Sequence, residues 1–189
     1  MATQTMTKTT TLVDRPLLKI RPARREDMGL IADFVRSSAE WYRPIVDEKD
    51  MAEHEVGEAW AEENFQKRDF YVGITEDGES VGTISLQYFG EWAYLGYIYL
   101  DVKHVGKGFG QTLMNFAEKK AREAGMRGMS LIAHPEAEWA GKAYLKYGFE
   151  IVETDKEAVT SWNDGVLETY YEEDFELYLY EFDSDDDDE

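Results

Sequence analysis

Val105-Gly106-Lys107-Gly108-Phe109-Gly110 lies between an apolar run, Trp92 to Val102, and a stretch of helical periodicity from Gly108 to Ala124. Strand, glycine-rich turn, helix is the order these pieces predict. Glycines at 106, 108 and 110 let the backbone curl so that several amide N–H groups converge, and the helix beginning there adds the positive end of its dipole. A pyrophosphate fits such a cradle, with Lys103 and Lys107 at its rim. Glycines also serve turns for steric reasons alone, so the triplet by itself leaves both readings open. Charge favours the anion. Between Val102 and Arg127 stand Lys103, Lys107, Lys119, Lys120, Arg122 and Arg127 against Glu118 and Glu123, a net +4 within a chain of formal charge −20.

Upstream of this stretch, Asp77-Gly78 and Gly90-Glu91 separate three apolar runs, 69–75, 80–89 and 92–102. Asp-Gly between such runs is a hairpin signal, so the centre of the chain reads as an antiparallel meander. Earlier still, Leu17-Leu18-Lys19-Ile20 predicts a short strand ended by Pro22. Met28, Ile31, Ala32, Phe34 and Val35 predict a helix from Glu26 to about Trp41, and Met51 to Phe65 a second one. Downstream, Gly125 stops the helix that follows the glycine turn, and Met129 to Ala133 reads as a strand. A helix from about Ala137 to Tyr147 closes at Gly148, Phe149 to Val152 begins another strand, and Phe175 to Phe182 forms a terminal one. Residues 153–174 read as irregular, with a turn at Asn163-Asp164-Gly165. Residues 1–14 read as a loose tail, 15–182 as one domain, and 183–189 as an acidic tail.

Composition narrows the chemistry. At 43% hydrophobic and 14% aromatic, 189 residues carry enough buriable surface for a folded domain despite 40 acidic side chains against 20 basic ones. Zero cysteines exclude a thiol nucleophile, disulfides and cysteine-ligated zinc, and the sequence suggests no metal site. Six of the acidic residues stand in the last seven positions, leaving a body at −14 that should repel nucleic acid and anionic lipid. No run approaches a membrane span or a signal peptide, and the expectation is a cytoplasmic protein.

A second motif decides between the readings of the glycine turn. Ala137-x-x-Ala140-x-x-x-Tyr144-x-Lys146-x-Gly148-Phe149 follows it. Together the two stretches resemble the GNAT superfamily of acyl-CoA-dependent N-acetyltransferases, in which the loop is commonly Arg-Gly-Lys-Gly-Ile-Gly and the later motif Asn-x-x-Ala-x-x-x-Tyr-x-Lys-x-Gly-Phe. The likeness extends loosely from Leu17 to about Phe182, with Val105 in place of the usual Arg or Gln and Ala137 in place of Asn. It implies an α/β (α+β) fold, a mixed and mainly antiparallel central sheet flanked by helices. It also implies acetyl-CoA as acetyl donor, held by Val105, Gly106, Lys107, Gly108, Phe109, Gly110 and Gln111, by the strand end at Leu100 and Val102, and by Ala137 and Lys142.

Moving an acetyl group from a thioester to an amine requires a neutral amine, a stabilised oxyanion and a protonated leaving thiolate. With no cysteine, direct attack in a ternary complex is favoured over an acyl-enzyme. The resemblance implies a backbone N–H near Leu100 to Val102 for the carbonyl and Tyr144 as general acid; a phenol is protonated at neutral pH. The strand segment Tyr97-Ile98-Tyr99-Leu100 lacks the Glu that family members often carry, so the base stays open among Glu91, Asp101, His104, His134 and a water relay. The acceptor would lie against Glu40-Trp41-Tyr42-Arg43 and the segment bearing Trp162, Tyr170 and Tyr171. Net charge points to a cationic primary amine. A non-catalytic acyl-CoA-binding or interaction module on the same fold is the alternative, and a homodimer is compatible with either.

Overall fold

Asp77-Gly78 makes the turn its chemistry predicts, with Gly78 at φ 85°, and the strands on either side pair antiparallel. In the computed structural model, which describes residues 17–54 and 56–183, the chain builds β1 (Lys19–Pro22), α1 (Met28–Tyr42), α2 (Glu48–Met51), α3 (Glu58–Lys67), β2 (Asp69–Ile74), β3 (Ser80–Phe89) and β4 (Trp92–Leu100). After the glycine turn come α4 (Phe109–Glu123), β5 (Gly128–Ala133), α5 (Glu138–Tyr147), β6 (Glu150–Glu153), α6 (Lys156–Gly165) and β7 (Glu176–Glu181). One seven-stranded sheet in the order β1-β2-β3-β4-β5-β7-β6 collects all the strands. Every neighbouring pair is antiparallel except β4 and β5, which the α4 crossover makes parallel. The mainly antiparallel mixed sheet is therefore as expected. Of the segments read as tails, 1–14 and all of 183–189 except Asp183 lie outside the described residues.

Strand alternation divides the core between two faces. Phe70 and Val72 of β2 meet Met28 and Ile31 of α1 and Ala61 of α3. On the other face Tyr71 packs edge-on against Phe116 of α4, while Leu113, Met114, Ala117 and Ala121 of α4 bury against Ile84, Leu86, Leu95, Met129 and Leu131. The basic residues of α4 fall on its outer side, where Lys120 and Arg122 pair with Glu123 and Glu118. That arrangement accounts for part of the positive segment as a solvated helix face.

Two expectations are corrected. The helix expected over Met51 to Phe65 is broken, because Ala52–His54 forms a 3-10 turn and Gly57 stands extended (φ −133°, ψ −158°) as the N-cap of α3. Val56 nonetheless buries against Ala32 and Val35, which is why its apolar spacing imitates a continuous helix. Residues 153–174, expected to be irregular, contain α6. Asp155 caps it by accepting from the amides of Glu157 and Ala158 at 3.0 and 3.2 Å. Val159 is its one fully buried side chain, too little to register as a periodic pattern. The turn expected at Asn163-Asp164-Gly165 is present, with φ of 48°, 61° and 80°.

Candidate functional site

β4 and β5 pair over three positions, Trp92 to Tyr94 against Gly128 to Ser130, and no pairing continues beyond them. The sheet therefore splits at the C-terminal half of β4. A bulge accompanies the split: Ile84 faces Ile98, yet Leu86 faces Leu95, so β4 spends one extra residue at Gly96-Tyr97. The Tyr97 amide donates to Ser85 Oγ at 2.8 Å instead of to a strand carbonyl. Gly82 lets β3 come close to Leu100, since a Cβ there would stand 2.6 Å from the Tyr99 carbonyl oxygen.

The glycine turn closes one end of the split. Gly106 and Gly108 hold φ of 83° and 84°, a region where side chains bearing Cβ are strained, and Gly108 is the N-cap of α4. The first amides of α4 consequently face outward without helical carbonyls to accept from them. A cavity of about 490 Å³ opens in front. Leu100, Val102, Val105, Gly106, Gly108, Gly110, Gln111 and Tyr144 line it. Lys107 does not line it and stands exposed beside the turn. Phe109 turns its ring inward against His104, leaving its backbone to serve the turn. Ala137 is buried ahead of α5, and Lys142 points outward to Glu138 at 2.7 Å. Lys146, one helical turn further, lines the cavity in its place. Among the described residues neither Lys107 nor Lys146 pairs with a carboxylate, so both cations are available to a pyrophosphate, and the cradle fits an acyl-CoA.

Trp41, Tyr42 and Trp139 also line this cavity, and their rings pack edge-on at 5.3 and 5.4 Å. Trp41 and Trp139 are 38% and 36% exposed, unusual for tryptophans that a core could have absorbed. Sequence reading placed Trp41 near the acceptor and did not single out Trp139, because their meeting depends on how α1 and α5 converge.

A second cavity of about 350 Å³ adjoins the first. Tyr42, Ile98, Tyr99 and Tyr144 belong to the walls of both. The Tyr144 ring packs against Phe149 and Tyr178, while its hydroxyl makes no hydrogen bond among the described residues. Burial, ahead of repulsion from Tyr42, Tyr178 and Tyr94, pushes that hydroxyl's pKa well above the ordinary phenol value. Burial likewise pushes Tyr42 up to about 12 and Tyr99 well above its usual value. These phenols are hydrogen-bond donors throughout the neutral range.

The proposed bases separate spatially. Glu91 occupies the β3–β4 turn, exposed, at the far end of β4 from Leu100, where its carbonyl accepts from the Arg127 amide; it lines neither cavity. Asp101 accepts from the Lys103 amide, and His104 faces Glu79 at 3.2 Å. His134 lines the second cavity, but its Nδ1 accepts from the Glu136 amide at 3.2 Å, so the neutral ring carries its proton on Nε2. His54 lines the same space, and burial lowers its pKa. Glu172, which sequence reading missed, reaches this cavity with one carboxyl oxygen buried, and its charge is felt at Tyr42, Tyr94 and Tyr99. Tyr170 and Tyr171 join it there.

The sequence pattern of the acetyltransferase (GNAT) family matches residues 32–149, more than half of the chain. No curated protein sequence matches significantly. Among solved structures, PaiA N-acetyltransferase of Thermoplasma acidophilum, determined with coenzyme A, superposes with a TM-score of 0.66 at 20% identity, covering 88% of this chain and 99% of its own. A GNAT-family acetyltransferase of Staphylococcus aureus gives 0.65 at 17% identity, covering 87% and 99%. One from Listeria monocytogenes gives 0.61 at 18%, covering 87% and 95%. These likenesses establish the fold, and the sequence pattern adds what fold alone leaves open. The chain belongs to the acetyltransferase (GNAT) family, N-acetyltransferases that draw their acetyl group from acetyl-CoA.

Proposed function

We propose that the chain acetylates a primary amine by direct attack in a ternary complex, with acetyl-CoA in the 490 Å³ cavity and the amine in the 350 Å³ cavity. The supporting observation is the wall common to both, formed by Tyr42, Ile98, Tyr99 and Tyr144. Two substrates held in cavities that share those residues meet at them, which supplies the proximity the reaction needs.

The balance is R–NH₃⁺ plus acetyl-CoA giving the N-acetylamine, CoA thiol and one proton. The ammonium first loses a proton, for which the Glu172 carboxylate or a water passing it is suitably placed in the cavity. The amine nitrogen then forms its bond to the thioester carbon, and backbone N–H groups at the end of β4, where pairing with β5 has ceased, stabilise the oxyanion. The C–S bond breaks as the Tyr144 hydroxyl gives its proton to sulfur, and the second proton of the attacking nitrogen passes to the tyrosinate, directly or through water, so the proton lost at the start is the one released. No residue is acylated in this route.

Initial-rate kinetics against a panel of primary amines, following free CoA, test the proposal. Intersecting double-reciprocal lines are expected. Parallel lines would require an acyl-enzyme and overturn direct attack; acetyl-CoA binding without acetylation of any amine would favour the non-catalytic alternative.

A further inference from the structure

Of the eighteen lysines and arginines among the described residues, five have no described carboxylate within ion-pair distance: Lys19, Lys49, Arg68, Lys107 and Lys146. Four of those are exposed lysines. Arg68 is half-buried, and it lines the cavity proposed for the acceptor. In a chain with twice as many acidic as basic residues, a partly buried guanidinium that pairs with no carboxylate among the described residues, and whose charge reaches Glu63 only at longer range, calls for a physical explanation.

Its setting is built from neutral groups. Nε donates to Asn64 Oδ1 at 2.9 Å and Nη1 to Gln87 Oε1 at 2.6 Å, while the Gln87 amide donates onward to Tyr170. The guanidinium carbon stands 4.9 Å from the Tyr97 ring centre and 4.8 Å from that of Tyr170. Gly96, at the β4 bulge, leaves room for it: a Cβ there would collide with Nη1. Two rings and two amide oxygens thus fix the orientation of the group without neutralising its charge, and Nη2 donates to no group among the described residues. A planar fork with an unused edge matches a carboxylate.

We infer that Arg68 holds an anionic group of the acceptor, so that the amine acetylated by this chain also carries a carboxylate, as amino acids do. This rests on the acceptor cavity proposed above and narrows its substrate class. Glu172 stands in the same cavity for the ammonium, which gives a zwitterion a counter-charge for each end. The negative body still steers cations at long range, but across about one Debye length, roughly 8 Å, that field fades, and contacts inside the cavity decide the fit.

The test compares each L-amino acid with its carboxamide and its decarboxylated amine, in wild type and in Arg68→Gln. Wild type should show kcat/KM about 10- to 100-fold higher for the carboxylate-bearing member of the best triplet, the range of one charge-assisted hydrogen bond. Arg68→Gln should lower kcat/KM for the carboxylate-bearing member at least about 10-fold more than for its decarboxylated amine, with the difference falling in KM. Gly96→Ala, which displaces the guanidinium and keeps its charge, should lower the same preference. Wild type using carboxylate, amide and decarboxylated amine equally would overturn the inference even if Arg68→Gln fails to fold. Equal losses for all three in the variants would reduce Arg68 to a structural clip between α3 and the sheet. Calorimetry of amino acid binding in the presence of CoA separates the two proposals: binding that depends on Arg68 but without turnover upholds the anion site and removes acetylation, whereas acetylation indifferent to the carboxylate does the reverse.

Discussion

Replacing Gly82 by alanine tests whether close approach of β3 to the end of β4 shapes the donor cavity. The added Cβ would lie 2.6 Å from Leu100 Cδ2, 2.6 Å from the Tyr99 carbonyl oxygen and 3.2 Å from Leu100 Cα. A leucine methyl can swing away, but the carbonyl oxygen and the Cα belong to the strand. Reaching ordinary contact at 3.4 Å from 2.6 Å requires about 0.8 Å of separation between the two backbones. Overpacking of this kind costs about 1–3 kcal/mol, which for a chain of this size lowers Tm by about 2–12 °C. Because Leu100 lines the cavity proposed for acetyl-CoA, affinity for it should fall several-fold as well. Thermal denaturation and acetyl-CoA calorimetry read the two effects. Gly29→Ala is the control, since a Cβ there meets nothing within 4 Å and α1 should gain up to about 1 kcal/mol from the alanine. A Gly82→Ala protein as stable as wild type, with unchanged affinity, would refute the reasoning.

Gly108→Val should weaken acetyl-CoA binding far more than Lys107→Ala, because it strains the left-handed N-cap of α4, whereas Lys107 adds charge from outside the cavity; calorimetry on both variants checks the order. Tyr144→Phe should lower turnover about 10- to 100-fold and leave acetyl-CoA affinity nearly unchanged. Since its pKa is raised, ionisation of Tyr144 should cause no alkaline decline in the wild-type rate below about pH 10; a decline that Tyr144→Phe abolishes would show a lower value. Asp27 accepts two bonds from Arg21 at 2.6 and 2.9 Å, which hold its carboxyl below the usual range. Its contribution is present above the unfolded value of about 3.9 and is lost as pH falls through the depressed folded one. Asp27→Asn should therefore cost about 1–2 kcal/mol at neutral pH, toward the low end because the Arg21 side chain is 30% exposed, and the cost should shrink on acidification in denaturant titrations.

The strands, the meander and the helix after the glycine turn were legible in the sequence because each depends on residues close together in the chain. Asp77-Gly78 sets a hairpin locally, and Gly106 and Gly108 take φ values that neighbouring side chains cannot forbid. Gly57 ended a helix whose apolar rhythm runs through it, and α6 was invisible because a single buried valine leaves no period. Around the 490 Å³ cavity the contiguous motifs supply backbone, whereas side chains depend on packing: Lys142 and Lys146 differ by one turn of helix, and only the packing of α5 decides which faces inward.

The 350 Å³ cavity followed another logic. Tyr42, Arg68, Tyr99, Tyr144 and Glu172 come from five separate elements or connections, and nothing in their spacing announces that they enclose one volume. Glu91 looked suitable because it precedes β4 in sequence, but a strand of nine residues carries its two ends apart, so the turn at one end cannot serve chemistry at the other. The chain's excess of acid suggested a cationic acceptor, an average over the whole surface; the cavity holds an arginine that the average conceals. Sequence by itself determined the order of the strands and of α1, α4 and α5, the glycine cradle and the class of donor, all governed by short-range backbone preferences. Tertiary structure decided where β4 parts from β5, which side chains share the two cavities and which charges are left unpaired, because those depend on how distant elements converge and pack.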